Sequence, residues 1–455
     1  MARALGAALL IAAAVFLALS SPAGRIVQLP NGVVELHSEM PVGAHTEVRG
    51  SAGTRLHAAA DFQGRALIVV TGDDVLLRDF RVDGNRAALE VRSGLPAYDT
   101  PFARFTRGNG VLADGVSRLR IQDVRFREVA GFAILVSRGR GVAIDRVSVR
   151  DSGGRNAAGR NNATGGILLE EGSADFSVTH CDLRNLRGNG VWTHSRYTSP
   201  RNARGWVAEN RFDTIGRDAI QVGHATGVRV ESNMGTRIGF PVSDVDQEGR
   251  AIPVAIDTAG NVERCQYARN QFFEVNGKCI DLDGFHDGEI RGNVCVNRGR
   301  PQEYPLGNYG IVMNNSNPDM QPERIRIEDN RIDGALFGGV FVIGSGNVVA
   351  HNQLLNLNLA HCNEEAAKFG CYYAPGEPDM LRSGIYLGKG AERPAPARGN
   401  RIEDNEITGF QMDRRCIGGA PGIRPDGNIV RGNRCRKLVP SATPVGAGKS
   451  ASVRE

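Results

Sequence analysis

Residues 207–222 read Val207-Ala208-Glu209-Asn210-Arg211-Phe212-Asp213-Thr214-Ile215-Gly216-Arg217-Asp218-Ala219-Ile220-Gln221-Val222. Two short strand patterns follow one another here, separated by turn residues. The first, Val/Ile-x-x-Asn-x-Phe/Ile, recurs down the chain, with its asparagine at Asn210, Asn233, Asn270, Asn293, Asn330, Asn352, Asn405 and Asn433. The successive gaps are 23, 37, 23, 37, 22, 53 and 28 residues. Earlier copies keep the frame around Val124, Val147 and Cys181 without the asparagine. A minimum near 22 residues with variable excess fits a coil of three short strands whose turns accept insertions. It excludes propellers and helical repeats of constant period.

The asparagines have a structural use. Asn tolerates a left-handed backbone at a tight turn, and stacked amides bond from coil to coil. They are assigned no catalytic role.

A second strand follows each copy. Examples are Ala133–Val136, Gly166–Leu169, Gly190–Thr193, Ala219–Val222, Val254–Ile256, Ile280–Leu282, Gly310–Met313, Gly339–Val342 and Gly384–Leu387. Side chains alternate across a strand, and the expected inward pairs (Ile134/Val136, Ile220/Val222, Val254/Ile256, Ile280/Leu282 and their counterparts) are almost wholly aliphatic. A narrow stacked core requires that.

This frame resembles the pectate-lyase-like superfamily, over roughly residues 26 to 438. The resemblance implies an all-β, right-handed parallel β-helix, a three-sheet solenoid of about ten coils, and a polysaccharide groove along its first sheet. Residues 24–440 would form the β-helix domain, with residues 26–100 as N-terminal cap and first coils. Site motifs of the superfamily are missing. Thr71-Gly72-Asp73-Asp74 looks like the Gly-Asp-Asp of polygalacturonases, but it lies far from Gly223-His224 in the stack and lacks the Arg-Ile-Lys that should follow. It is read as an ordinary turn.

Composition agrees with many short strands and tight turns: 58 glycines, 41% apolar residues and only 6% aromatics in 455 residues. A net charge of +5 with scattered arginines gives no argument for nucleic acid. Arg3, the apolar run Leu5 to Leu19 and the small residues Ala18, Ser20, Ser21 and Ala23 read as a signal peptide over residues 1–23. The chain is therefore expected to be secreted or periplasmic, with no membrane span once processed. Residues 441–455 are expected to be a disordered tail. Eight cysteines in an exported chain point to disulfides, with Cys279–Cys295, Cys362–Cys371 and Cys416–Cys435 as the plausible pairs.

The same alternation orders the outward residues. One expected column runs Leu135, Leu168, Trp192, Gln221, Ala255, Asp281, Val312, Phe341, Tyr386. The other runs Ser137, Glu170, His194, Gly223, Asp257, Asp283, Asn314, Ile343, Gly388. Asp257 and Asp283 would be direct neighbours, with Asp281 beside them. Stacked like charges destabilise a sheet unless a proton, a cation or a substrate resolves them. Crowding also separates carboxyl pKa values, as glycoside hydrolysis requires.

Asp257, Asp281 and Asp283 are thus the catalytic candidates, assisted by His194 and His286. Trp192 and Tyr386 would position sugar rings. Gln221, Asn314 and Glu170 on the outer face, with the cations Arg196 and Lys278, would complete substrate binding. No cofactor is required, although clustered carboxylates could hold calcium. The favoured function is a glycoside hydrolase acting on a polysaccharide or oligosaccharide. The alternatives are a polysaccharide lyase or uronate C5-epimerase, and a non-catalytic glycan-binding surface module.

Overall fold

A computed structural model describes residues 24–438, apart from residues 93, 95–99, 247–251, 318, 363–370, 372–376, 378 and 424–426. The expected signal peptide and the tail at 441–455 lie outside the described residues. Every strand pairs in parallel, and each coil contributes one strand to each of three stacks. In one coil these are Asn202–Ala208, Arg211–Ile215 and Ile220–Gly223. The first sheet, carrying Ile220–Gly223, stacks eleven strands from Asn109–Asp114 to Ile417–Gly419 among the described residues. The second sheet carries Arg211–Ile215. It joins the first near the N-terminus through the long strand Thr54–Val70, which pairs into both. The third sheet carries Asn202–Ala208.

The asparagine column is a continuous ladder. Each side-chain amide donates to the Oδ1 of the next asparagine, from Asn210 to Asn233 (3.0 Å), Asn270 (2.9 Å), Asn293 (2.8 Å) and onward to Asn433. The left-handed backbone falls on the residue before each asparagine, such as Glu209, Ser232, Arg269 and Asp329, and not on the asparagine itself. Asparagine is used here for its amide. Its Oδ1 also accepts the backbone N–H of the preceding coil, as Asn210 does from Cys181 at 2.9 Å. A second ladder, Asn347–Asn400–Asn428, ties the C-terminal coils.

The core is a column of aliphatic layers: Ile134, Ile167, Val191, Ile220, Ile256, Ile280, Ile311, Val340 and Ile385 stand in one register and are buried. One step differs from the sequence reading. Ile256, not Val254, pairs with both Ile220 and Ile280. A slip of two residues leaves every side chain on its own face, so periodicity could not detect it. The slip places Thr258 inward, where its hydroxyl shares a 2.8 Å hydrogen bond with buried Tyr267. All three expected disulfides are formed, and Cys181 and Cys265 are buried as free thiols. Disulfides mark chains that fold outside the reducing cytoplasm. Among the described residues no helix is long and apolar enough to cross a membrane.

Candidate active groove on the first sheet

The outer face of the first sheet is closed over its N-terminal coils. Leu112, Leu135, Leu168 and Trp192 point outward, yet they are buried under the one-turn helix Phe102–Phe105 with Phe132, Ala66 and Val69. Trp192 meets Phe102 edge-on, with ring centroids 4.9 Å apart. Burying three or four such side chains is worth several kcal/mol at about 25 cal/mol per Å². Trp192 is therefore part of a second small core and not a sugar platform. Glu170 serves the same plug. Its two carboxylate oxygens accept the N–H groups of Phe102 and Ala103, both at 2.8 Å. Burial nevertheless lifts its pKa to about 7. At the far end Tyr386 is buried too, stacked on Phe341 and donating its hydroxyl to Glu377 at 2.8 Å. Neither Glu170 nor Tyr386 is placed for the substrate contact expected of it.

Between these covered ends the face is open. A cleft of about 550 Å³ lies at the C-terminal ends of the strands, floored by His194, His224, Gly260 and Asp283. Its walls are Ser195, Arg196 and Tyr197 on one side and Ser316, Asn317 and Asp319 on the other. The walls meet where the Asn317 amide donates to the Tyr197 hydroxyl at 3.0 Å. Tyr197 also packs on His224, with centroids 4.8 Å apart. Burial, then the charges of Asp319 and Asp283, push the Tyr197 phenol up to about 12. Burial, then the charge of Arg201, lower the pKa of His224.

Asp283 accepts from the Ser316 backbone N–H (2.9 Å) and hydroxyl (2.6 Å). Burial outweighs these bonds and raises its pKa above the ordinary carboxylate range. His194, next to the plug, also lines the cleft. His286 does not: it belongs to the third sheet, where its ring bonds Asp287 (2.8 Å) and Asn261 (2.9 Å).

The slip in register reorders the acids. Asp257 stands beside Gln221 and, by the pairing of Ile256 with Ile280, beside Asp281; Asp283 is its diagonal neighbour. Gln221 is fixed by Asn189 (2.7 Å) and donates to Asp257 at 2.7 Å. Asp281 forms an ion pair with the ammonium of Lys278 on its own strand. Asp218, unnoticed in the sequence, lies buried beneath and accepts the Val254 N–H at 3.0 Å. Burial, then the charges of Asp218 and Asp281, raise Asp257 well above the usual range, and burial lifts Asp218 to about 6. Lys278 thus supplies the cation that the crowded acids required.

Among the described residues no group of three or more His, Cys, Asp or Glu side chains is placed to hold a metal ion. Arg196 lines the cleft, but its guanidinium is paired with Glu171 at 2.8 Å. Asn314, paired with Asp283 across the strands, opens on a neighbouring recess of about 290 Å³ with Lys278, Tyr309 and Phe341.

The sequence did not reveal Asp319, Ser316 or Asn317, because they stand in a loop outside the repeat frame. The covering helix did leave a signal: a run of outward leucines and one tryptophan is an apolar face that needs a lid.

This architecture is shared with solved structures of remote sequence. A variant of DFA-IIIase from Arthrobacter chlorophenolicus, in complex with DFA-III, is similar over 90% of this chain and 88% of its own, at 14% identity and TM-score 0.51. PfbA, a surface adhesin of Streptococcus pneumoniae, is similar over 74% of this chain and 85% of its own, at 14% identity and TM-score 0.55. The Dettilon tailspike protein is similar over 89% of this chain and 63% of its own, at 13% identity and TM-score 0.51. No protein-family model matches the chain, and no curated protein matches it by sequence. The shared fold is a right-handed parallel β-helix.

Proposed function

We propose that this chain is an exported carbohydrate-active enzyme, a glycoside hydrolase that cleaves a polysaccharide or oligosaccharide along the open stretch of the first sheet. The observation that carries this reading is the pair Asp257 and Asp283, both raised from the ordinary carboxylate value, with Asp283 lining a cleft of about 550 Å³ and Asp257 its diagonal neighbour on the sheet. Asp257, the more strongly raised, is the general acid. Asp283, oriented by two donors from Ser316, is the base. Diagonal neighbours on a sheet stand ~7–8 Å apart. That is a backbone separation; the distance between the two carboxyl groups sets the outcome, ~5–5.5 Å for retention and ~6.5–9.5 Å for inversion. Asp281 is reassigned to holding Lys278. The remote fold relatives include a protein solved with the oligosaccharide DFA-III, which agrees with carbohydrate work on this scaffold.

The lyase or epimerase reading asks for free cations to neutralise a uronate, and here Lys278 and Arg196 are already paired. Calcium is not part of the proposed mechanism.

The test is digestion of a panel of neutral and uronic polysaccharides by the wild type, Asp283→Asn and Asp257→Asn, with and without EDTA. Reducing ends released without unsaturated products, and reduced roughly 10²–10⁴-fold in each variant, are expected. Unsaturated products would establish a lyase instead. No release across the panel by a folded wild type would leave a glycan-binding module.

A further inference from the structure

The second sheet presents a cationic surface that the proposed catalysis does not use. Arg81 pairs in register with Arg125, and Arg127 stands directly between Asp83 and Arg150 on neighbouring strands. Arg81, Arg125, Arg127 and Arg150 are all exposed, and they line a shallow groove of about 570 Å³ with Ser148 and Asp182. Neighbouring strands stand ~4.8 Å apart. Like charges placed directly opposite one another weaken a sheet, so opposing carboxylates are the arrangement that stability favours. Elsewhere on this protein that arrangement is used: Arg118 is clasped by Asp74, Arg146 by Asp123 and Arg204 by Asp175.

In the groove only Arg150 is held this way, by Asp182. Among the described residues, Arg81, Arg125 and Arg127 have no ion-pair or side-chain hydrogen-bond partner. Asp83 is engaged by the Asn85 N–H at 3.2 Å and faces Arg55 at 3.8 Å. Asp182 is taken by Arg150 at 3.2 Å and Arg184 at 2.7 Å.

We infer that this groove binds an anionic polysaccharide, laid along the helix axis, whose acidic groups meet the guanidinium forks of successive coils. Arginine suits such groups because its planar fork takes a carboxylate or sulfate through two parallel hydrogen bonds. The occupant is a glycan on chemical grounds. The groove presents no exposed aromatic ring on which bases could stack, since Phe126 beneath it is buried. It presents no exposed apolar side chain to enter a lipid layer. Ser148, on the strand of Arg150, offers a hydroxyl suited to sugar hydroxyls. The site is on a different sheet from Asp257 and Asp283, and it stands whether or not those residues hydrolyse anything.

The test uses a fluorescein-labelled oligogalacturonate of ten sugars, with labelled dextran, a single-stranded DNA 20-mer and phosphatidylglycerol vesicles alongside. Binding is measured by anisotropy or co-sedimentation in 50 mM and 200 mM NaCl. The wild type is expected to bind oligogalacturonate and not dextran, more weakly at the higher salt as screening shortens the reach of the charges. R81S/R125S is expected to bind at least tenfold more weakly, with Arg125→Glu weaker still. Asp283→Asn should bind as the wild type does. Circular dichroism of each variant confirms folding, and both arginine changes relieve repulsion. Equal binding by R81S/R125S, or by dextran, would overturn the inference. So would tighter binding of the DNA or the vesicles than of the oligogalacturonate.

Discussion

Asp257 has Asp281, not Asp283, as its cross-strand neighbour, and the ammonium of Lys278 holds Asp281 from its own strand. One strand therefore carries both the cation that makes a crowded acid cluster tolerable and, at Asp283, the carboxylate that faces the cleft. Both lie within the six residues Lys278–Asp283.

Removing the cation should cost more than removing its partner. Lys278→Met would leave Asp281 charged, largely buried and beside Asp257. The expected loss is about 3–5 kcal/mol, as for other buried pairs broken on one side. Combining it with Asp281→Asn should restore most of that loss, because the orphaned charge goes too. Urea unfolding of the two variants checks this; equal stability of single and double variants would contradict the assigned pairing.

Glu170 gives the plug a pH dependence. Its pKa is about 7 in the folded chain against 4.5 when unfolded. Below pH 4.5 both states hold the proton and the group is neutral in its effect. Between 4.5 and 7 the folded state binds the extra proton, so stability falls as pH rises through that window and is lowest above it. Melting temperatures of the wild type should show this decline, and Glu170→Gln should flatten it. An unaltered slope in the variant would assign the effect elsewhere.

Trp192 should behave as a core residue. Trp192→Ala is expected to cost about 3–5 kcal/mol, and in the wild type acrylamide should quench its fluorescence poorly. A sugar platform would give the opposite: unchanged stability and loss of substrate affinity alone.

Asn270→Ala tests the ladder. The variant removes the amide that donates to Asn293 (2.8 Å) and to the Val230 carbonyl (2.9 Å), and the Oδ1 that accepts from Asn233. Buried donors and acceptors left unpaired cost ~1–3 kcal/mol each. A drop of several kcal/mol is expected in denaturant titration, with Asn270→Asp failing to restore it because the amide donors stay lost.

The architecture was legible because a stacked coil repeats its constraints. Asn210 and its successors, the aliphatic inward pairs and the three disulfides all follow from spacing. The site was legible only in part. Periodicity places Asp257, Asp281 and Asp283 outward but leaves a two-residue slip open, and Thr258 accepted the inward place that Val254 was expected to share. The covering helix comes from a loop remote in sequence from Trp192 and Glu170, and Tyr386 is covered at the far end beside Phe341 and Glu377, so all three were read as exposed when only their direction was known. Ser316 and Asp319 belong to an irregular turn with no pattern of its own.

The unbroken asparagine ladder settles where this molecule can change. Each ladder asparagine from Asn210 to Asn405 is bonded to the coil before it and the coil after it, so that corner of the solenoid cannot gain or lose a residue without parting neighbours on both sides. The spread of coil lengths, from 22 to 53 residues between asparagines, is therefore confined to the other corners. Those corners border the cleft. One edge acts as a fixed spine, and the opposite edge is free to be rewritten without re-registering the stack.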